Sequence, residues 1–315
     1  MPSEHRPVLL EETLDALRCQ SGRLYVDATV GAGGHACGIL ERSAPDGRLI
    51  GADQDPGALA RAQERLAPFA GRFELLHANF RDLPSLLRAR GAVPVDGVLL
   101  DLGISSDQLA DPERGFSFQR PGPLDMRMDP RAPRRAADLV NTLDERSLAR
   151  MIRDLGEEPR AARIARAIVG AREEAPIGTT DRLARIVEEA APRRRDAAAI
   201  HPATRTFQAL RMAVNDELGA LDAALDGFLE CLAPGGRLVV IAFHSLEDRM
   251  VKRRLQIWAG TCTCPPGLPL CGCGARARVR ILTRRAVKPG PAELAANPRA
   301  RSARLRTGER LREAA

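Results

Sequence analysis

Aromatic residues are scarce in this chain, which has one Trp, one Tyr and eight Phe among 315 residues. A core built mainly from aromatic rings is therefore excluded. The hydrophobic fraction of 44% must come mostly from Leu, Val, Ile and Ala. Together with the length, this fraction predicts one large globular domain or two ordinary ones.

Long apolar runs are also missing. No run approaches the roughly 18 residues that a membrane-spanning helix needs. Residues 1–8 include Glu4, His5 and Arg6 and have no apolar signal-peptide core. Seven cysteines in a chain of this length are not typical of a secreted disulfide framework. We therefore expect a cytoplasmic protein with no membrane segment.

Positive charge is concentrated near the C-terminus. Residues 249–315 contain 16 Lys and Arg but 3 Asp and Glu, whereas residues 1–248 contain 32 and 38. This asymmetry indicates a polyanionic partner such as nucleic acid. A basic region that is merely solvated is the alternative.

Apolar strands alternate with helices over the first hundred residues. Asp55-Pro56 illustrates a helix start, with an N-capping side chain followed by proline at the first helical position. The pattern predicts an α/β fold with a doubly wound, mostly parallel sheet. The predicted strands cover residues 24–28, 48–53, 73–77 and 98–102, and the helices between them cover 36–42, 57–66 and 85–89.

The alternation stops after Gly103 and returns about one hundred residues later. Residues 104–135 are rich in Gly, Pro and charge, and no helical or strand period is evident in them. We therefore predict that residues 1–103 and 206–315 form a discontinuous α/β domain and that 104–205 form an inserted helical domain. The later predicted elements are helices at 145–155, 160–172, 181–191, 206–232 and 246–258, a strand at 237–243 and an edge strand within 303–311.

A glycine-rich turn follows the first predicted strand. Asp27 precedes Gly31, Gly33 and Gly34, and backbone N–H groups at such a helix start can hold a carboxylate or phosphate. Asp53 ends the second strand 22 residues after Gly31, which suits ribose hydroxyls. The two acids suggest a ligand with a ribose and an amino-acid head, as in S-adenosylmethionine. A plain strand–turn–helix with structural glycines is the alternative.

Two more side chains lie at predicted strand ends. Asp101 ends the fourth strand, and ligands of open α/β sheets bind outside the carboxyl ends of strands. Phe80 follows the third strand and could pack on an adenine ring, although a Phe at such a position is more often part of the core. Residues 115–129 combine Phe, Met and Arg, which suits a surface that stacks a nucleobase. A packed loop is the alternative.

Four of the seven cysteines form two close pairs, and one residue separates the two cysteines of each pair. Four thiolates suit structural zinc, although zinc sites usually have two or more residues inside each pair. The sequence leaves open a zinc or iron–sulfur site, unmodified thiols, and disulfides. The four residues are Cys262, Cys264, Cys271 and Cys273.

Eight segments of the chain form a further pattern: residues 29–35, 53–56, 101–109, 114–118, 122–129, 201–211, 243–249 and 297–303. Each could occur by chance, but so many in order are very specific. Taken together they closely resemble the ribosomal RNA small subunit methyltransferase H family, from His5 to Leu305.

The resemblance implies a Rossmann-like class I methyltransferase with an inserted helical domain for substrate. It implies that S-adenosylmethionine is the cofactor. It further implies methylation of the exocyclic N4 of a cytidine in the decoding region of 16S rRNA, with the small ribosomal subunit as partner. It does not imply a metal at the cysteine pairs. The cofactor-binding residues that it implies are Gly33, Gly34, His35, Asp53, Phe80, Asp101 and Gln108.

The catalytic residues stay unassigned at this point. Many base methyltransferases have an Asn/Asp-Pro-Pro-aromatic turn after the fourth strand, and here Asp101-Leu102-Gly103 replaces it. A methyltransferase for DNA or another RNA base, and a ribosome-assembly factor without turnover, are the alternative functions. The side chains considered as acceptors of the N4 proton are Asp101, Ser105, Ser106 and His244.

Overall fold

The structure, a computed structural model, describes residues 7–192, 201–262, 264 and 272–312. The chain divides into two compact units, one formed by Met1–Gly103 with Leu218–Ala315 and the other by Ile104–Glu217. The strands are β1 (Leu24–Asp27), β2 (Arg48–Asp53), β3 (Phe73–His77), β4 (Val95–Asp101), β5 (Leu232–Ala242), β6 (Val279–Ile281) and β7 (Arg304–Arg310).

Helices surround these strands in the first unit and make up most of the second. They are α1 (Leu10–Leu17), α2 (Gly34–Arg42), α3 (Pro56–Leu66), α4 (Leu83–Ala89), α5 (Ser106–Ala110), α6 (Ala136–Thr142), α7 (Glu145–Gly156), α8 (Ala161–Glu174), α9 (Thr180–Ala190), α10 (Ala203–Asn215), α11 (Glu217–Cys231), α12 (Ser245–Trp258) and α13 (Pro291–Ala296).

The seven strands of the described chain form one sheet in the order β3-β2-β1-β4-β5-β7-β6. Strands β1 to β5 pair in parallel, and β7 pairs antiparallel with both β5 and β6. The first five positions have the order of a doubly wound sheet, with β1 and β4 adjacent where the winding reverses. The predicted α/β fold class is confirmed.

Both faces of the sheet are buried, as expected for parallel strands covered by helices. Along β4, Val98 and Leu100 belong to one hydrophobic cluster while Leu99 belongs to another. Because successive side chains of a strand point to opposite faces, these clusters lie on the two sides of the sheet. Helix α11 contributes Leu225 and Phe228 to the first cluster.

The second unit has its own hydrophobic core. Helices α7, α8 and α9 contribute to it, and so does α10 through Phe207 and Leu210. The predicted domain boundary at 205/206 is therefore displaced, and the division falls between Glu217 and Leu218. The single helix predicted over 206–232 is wrong, because Asp216 has a left-handed backbone (φ 46°) that separates α10 from α11.

The loop over residues 115–129 is packed rather than presented as a stacking surface. Phe116, Met126 and Met128 are buried in the core of the second unit. Phe118 is partly buried and contacts the Phe207 ring, with the two ring centroids 4.8 Å apart. The alternative of a packed loop is thus the better description of these side chains.

Among the described residues, no helix combines the length and the apolarity needed to cross a bilayer.

Candidate functional site

The turn between β1 and α2 depends on glycine for conformation and for packing. Gly31 and Gly33 have positive φ values of 52° and 80°. A Cβ on Gly33 would lie 3.3 Å from the Ala62 Cα, and one on Gly34 would lie 2.5 Å from the Pro7 Cγ. Side chains at these two positions would therefore push against neighbouring segments. Packing alone therefore accounts for glycine at these two positions, whether or not a ligand binds. The backbone N–H groups at the start of α2 nevertheless have the arrangement that suits an anion.

Asp53, at the end of β2, holds two turns together. Its Oδ2 accepts a hydrogen bond from the Gly31 N–H at 2.9 Å, and its Oδ1 accepts one from the Asp55 N–H at 2.9 Å. Burial raises the pKa of Asp53 to about 6, although both N–H donors act to lower it. The carboxylate is therefore fixed beside the glycine turn, where the sequence predicts ribose binding.

Asp27, the last residue of β1, is almost fully buried. Burial raises the pKa of its carboxyl to about 7, the Thr29 N–H lowers it, and the charge of Asp53 raises it further. Such a group changes charge near neutral pH. Buried carboxyls with raised pKa values are typical of functional sites.

Asp101 ends β4 and is anchored to the turn that follows β1. Its N–H donates to the Thr29 Oγ1 at 2.6 Å. Its Oδ1 is buried and has no hydrogen-bond partner within the described part of the chain. Burial raises its pKa well above the usual range, and the nearby charges of Asp27 and Glu247 add to the increase. An orphaned buried oxygen of this kind indicates a place for a polar ligand.

His35 is nearly buried in the first turn of α2. Its ring Nε2 lies 3.0 Å from the Val8 carbonyl oxygen, and its Nδ1 lies 3.5 Å from the Asp101 Oδ2. The motif resemblance implies that His35 contacts the cofactor. The structure adds a ring that bridges the N-terminal segment and Asp101, which sequence reasoning missed.

Phe80 follows β3 and is partly buried against the first-unit core. Next to it, the Asn79 Nδ2 donates to the Gln54 Oε1 at 3.0 Å, and the His77 Nε2 lies 3.1 Å from the Gln54 carbonyl oxygen. These contacts join the residues after β3 to those after β2. The predicted adenine-stacking role of Phe80 stays a prediction.

Gln108 and the two serines belong to the second unit. Ser105 caps α5, because its Oγ accepts from the Gln108 N–H at 3.1 Å while the Gln108 Oε1 accepts from the Ser105 N–H at 3.0 Å. Ser106 is the first residue of that helix. The predicted cofactor contact of Gln108 stays a prediction.

Glu247 is a buried acid that the sequence analysis did not single out. It is 2% exposed, and its Oε2 accepts hydrogen bonds from the backbone N–H of Phe243 and His244 after β5. The sequence feature that could have revealed Glu247 is a capping box, because His244 is the N-cap of α12 and Glu247 is its N3 residue. Glu247 thereby fixes the segment that carries His244.

The acids converge because β2 and β4 are the two neighbours of β1 in the sheet. Asp27, Asp53 and Asp101 each end one of these parallel strands, so they share one edge. The set fits S-adenosylmethionine, which carries a sulfonium and an ammonium that carboxylates attract. The orphaned Asp101 oxygen and the glycine turn are consistent with that ligand.

Such a sheet and site define a Rossmann-like class I methyltransferase. A family model confirms the class and makes it specific: residues 2–311 match the MraW methylase family, and the chain belongs to that family. The sequence-based recognition is thereby confirmed, as is the use of S-adenosylmethionine.

Full-length relatives and solved structures are similar to this chain. "Ribosomal RNA small subunit methyltransferase H" of Thermomicrobium roseum is 54% identical over 311 residues, covering 99% of this chain and 95% of its own. The Symbiobacterium thermophilum protein with that name is 52% identical, covering 99% and 98%. A solved putative rRNA methylase from Clostridium thermocellum is 13% identical with a TM-score of 0.45, covering 98% and 100%.

Proposed function

We propose that this protein transfers a methyl group from S-adenosylmethionine to the exocyclic N4 of a cytidine in the decoding region of 16S rRNA. The single observation that carries the rRNA substrate is the 54% identity, over nearly the whole chain, to a protein named for methylation of small-subunit rRNA. The N4 atom and the decoding region rest on the motif resemblance. The working partner is the small ribosomal subunit, and an rRNA substrate implies the cytoplasm.

The cofactor site combines the glycine turn and the acids at the sheet edge. When bound, S-adenosylmethionine supplies a methyl group on a positively charged sulfur that is already activated for attack. The N–H groups of Gly34 and His35 at the start of α2 would hold the cofactor carboxylate, and Asp53 would accept from the ribose hydroxyls. The Gly33 N–H instead donates to the Val30 carbonyl oxygen at 2.8 Å, and Gly33 would contribute by letting the cofactor approach the backbone. Phe80 would pack on the adenine, and Asp101 would complete the first-unit set; the motif resemblance implies a further contact from Gln108.

The protein must also increase the nucleophilicity of the N4 amine, whose lone pair is delocalised into the cytosine ring. A fixed acceptor of an N–H hydrogen bond does this. The orphaned Oδ1 supports Asp101 over Ser105, Ser106 and His244.

RNA binding requires groups outside the cofactor site. The basic region over residues 249–315 contacts phosphates, and the helical unit recognises the substrate. The target base leaves its stack to enter the pocket.

A deletion strain tests this function. Nucleosides from its small-subunit rRNA, compared by mass spectrometry with those of the parent, should lack one N4-methylated cytidine. A plasmid copy of the gene should restore it, and a copy with Asp101→Ala, which has no side-chain acceptor, should not. Loss of a methyl group from DNA or from another RNA base would replace this proposal by the first alternative. An unchanged nucleoside profile would favour an assembly factor.

A further inference from the structure

A group of thiols lies outside the cofactor site, in the segment between α12 and β6. The sulfur atoms of Cys262, Cys264 and Cys273 all lie within 4.8 Å of one another. The Sγ atoms of Cys262 and Cys273 are 3.6 Å apart although the two residues are eleven positions apart in the chain. None of these residues takes part in the methyl-transfer chemistry proposed above.

The backbone brings the two ends of this segment together. Ala259 and Ala277 form an antiparallel bridge, and the Arg278 N–H donates to the Trp258 carbonyl oxygen at 2.7 Å. Gly260, with φ of 82°, turns the chain at the end of α12. Cys262 and Cys264 therefore follow the first of these two paired segments in the chain, and Cys273 precedes the second.

The 3.6 Å separation of the Cys262 and Cys273 sulfurs is close to that of two thiolates on one tetrahedral metal ion. With Zn–S bonds of about 2.3 Å, two thiolates of a tetrahedron are separated by about 3.8 Å. A disulfide would need about 2.05 Å between the bonded sulfurs. An iron–sulfur cluster separates its cysteine sulfurs much farther, because iron and sulfide atoms lie between them.

We propose that Cys262, Cys264 and Cys273 bind one Zn²⁺ as thiolates and that the metal has a structural role in this loop. Cys271 lies outside the described residues. Each thiol loses its proton on binding, so loading releases protons to the buffer. Three thiolates around Zn²⁺ carry a net charge of −1, and Arg276, Arg278 and Arg280 lie close by in the chain to offset it.

Metal analysis of the purified full-length protein tests the site. We expect about one zinc per chain after purification under reducing conditions and removal of loosely bound metal. Cys262→Ser and Cys273→Ser should each lose most of it. The matched control is Cys37→Ser, which changes a half-buried cysteine of α2 far from this loop in sequence and should retain the zinc.

Cobalt provides a second readout that needs no variant. Co²⁺ added to the metal-free protein should give the intense visible bands of tetrahedral coordination together with a near-ultraviolet thiolate-to-cobalt band, and Zn²⁺ should abolish both. Absence of zinc and of these bands would overturn the proposal. Detection of iron with acid-labile sulfide would overturn it in favour of an iron–sulfur cluster. Disulfides would be indicated instead if the mass of the unreduced protein were lower by two hydrogens for each cysteine pair, and this result would also overturn the proposal.

Discussion

Oδ2 of Asp53 accepts a hydrogen bond from the Gly31 N–H at 2.9 Å, which joins the end of β2 to the glycine turn after β1. Asp53 therefore fixes this turn through its carboxylate. In the proposed cofactor site the same carboxylate would also accept hydrogen bonds from the ribose hydroxyls. Both roles depend on its carboxylate oxygens.

Replacing this acid should weaken cofactor binding. We expect Asp53→Ala to reduce the affinity for S-adenosylmethionine by about 1–3 kcal/mol, because hydrogen bonds to the ribose and to the turn are lost. Isothermal titration calorimetry measures the change. Glu74→Ala, which alters an exposed acid on β3, is the matched control and should bind like the parent. Unchanged affinity in Asp53→Ala would remove Asp53 from the site.

Cofactor affinity should depend on pH. Burial raises the pKa of Asp27 to about 7 and that of Asp53 to about 6, so both carboxyls become protonated as the pH falls from 8 to 5.5. Their attraction for a sulfonium is then lost, and we expect S-adenosylmethionine to bind about tenfold more weakly at pH 5.5. S-adenosylhomocysteine, which lacks the sulfonium charge, should show a smaller change. Equal pH profiles for the two ligands would contradict this role of the carboxyls.

The same acids should destabilise the ligand-free protein at neutral pH. Burial raises the folded-state pKa of Asp27 from 3.8 to about 7, so the folded protein retains a proton that the unfolded chain releases. Stability from this group is present below pH 3.8 and is lost as the pH rises to about 7.

Asp27→Asn removes that titration. We expect it to increase the free energy of unfolding by about 1–3 kcal/mol at pH 8 and to flatten its decline between pH 4 and 7. Urea unfolding of the apoprotein at several pH values gives both quantities. A variant that is less stable than the parent at pH 8, with the same pH slope, would show that the charge of Asp27 is not the cause.

A buried ion pair fixes β7 to α12. The Asp248 Oδ1 accepts from the Arg306 Nε at 2.6 Å, and its Oδ2 accepts from the Arg304 guanidinium at 3.0 Å. Asp248→Ala would leave the buried Arg306 without this partner, which should cost about 3–5 kcal/mol of stability.

Denaturant unfolding checks this value. The exposed pair of Asp181 and Arg185 on α9 provides the control, and Asp181→Ala should cost less than about 1 kcal/mol. Comparable losses of unfolding free energy in the two variants would mean that burial of the Asp248 ion pair contributes little to stability.

Periodicity and turn chemistry were sufficient to predict most of the sheet. Strands β2 and β3 have the predicted bounds, and Asp55 caps α3 as expected through a 2.9 Å hydrogen bond from the Gly57 N–H. The break between α10 and α11 was missed because Asp216 adopts a left-handed backbone without glycine or proline to signal it. Strand β6 is three residues long, too short to show a period.

The positions of the candidate site residues at strand ends were predictable from the sequence, but their contacts were not. Asp53 and Asp101 follow from the rule that ligands bind at carboxyl ends of parallel strands. The hydrogen bond from the Asp101 N–H to Thr29, and the His35 ring beside Asp101, depend on how β1 and β4 align and on where α2 begins. Those are three-dimensional facts that spacing does not specify.

Methyl transfer by the purified protein tests the central claim most directly. Small-subunit particles from the deletion strain are incubated with S-adenosylmethionine carrying a labelled methyl group, and their rRNA is then digested and analysed by mass spectrometry. The account predicts one labelled methyl per particle, on N4 of a cytidine in the decoding region. Particles that remain unlabelled, or a label on any other atom, would contradict it.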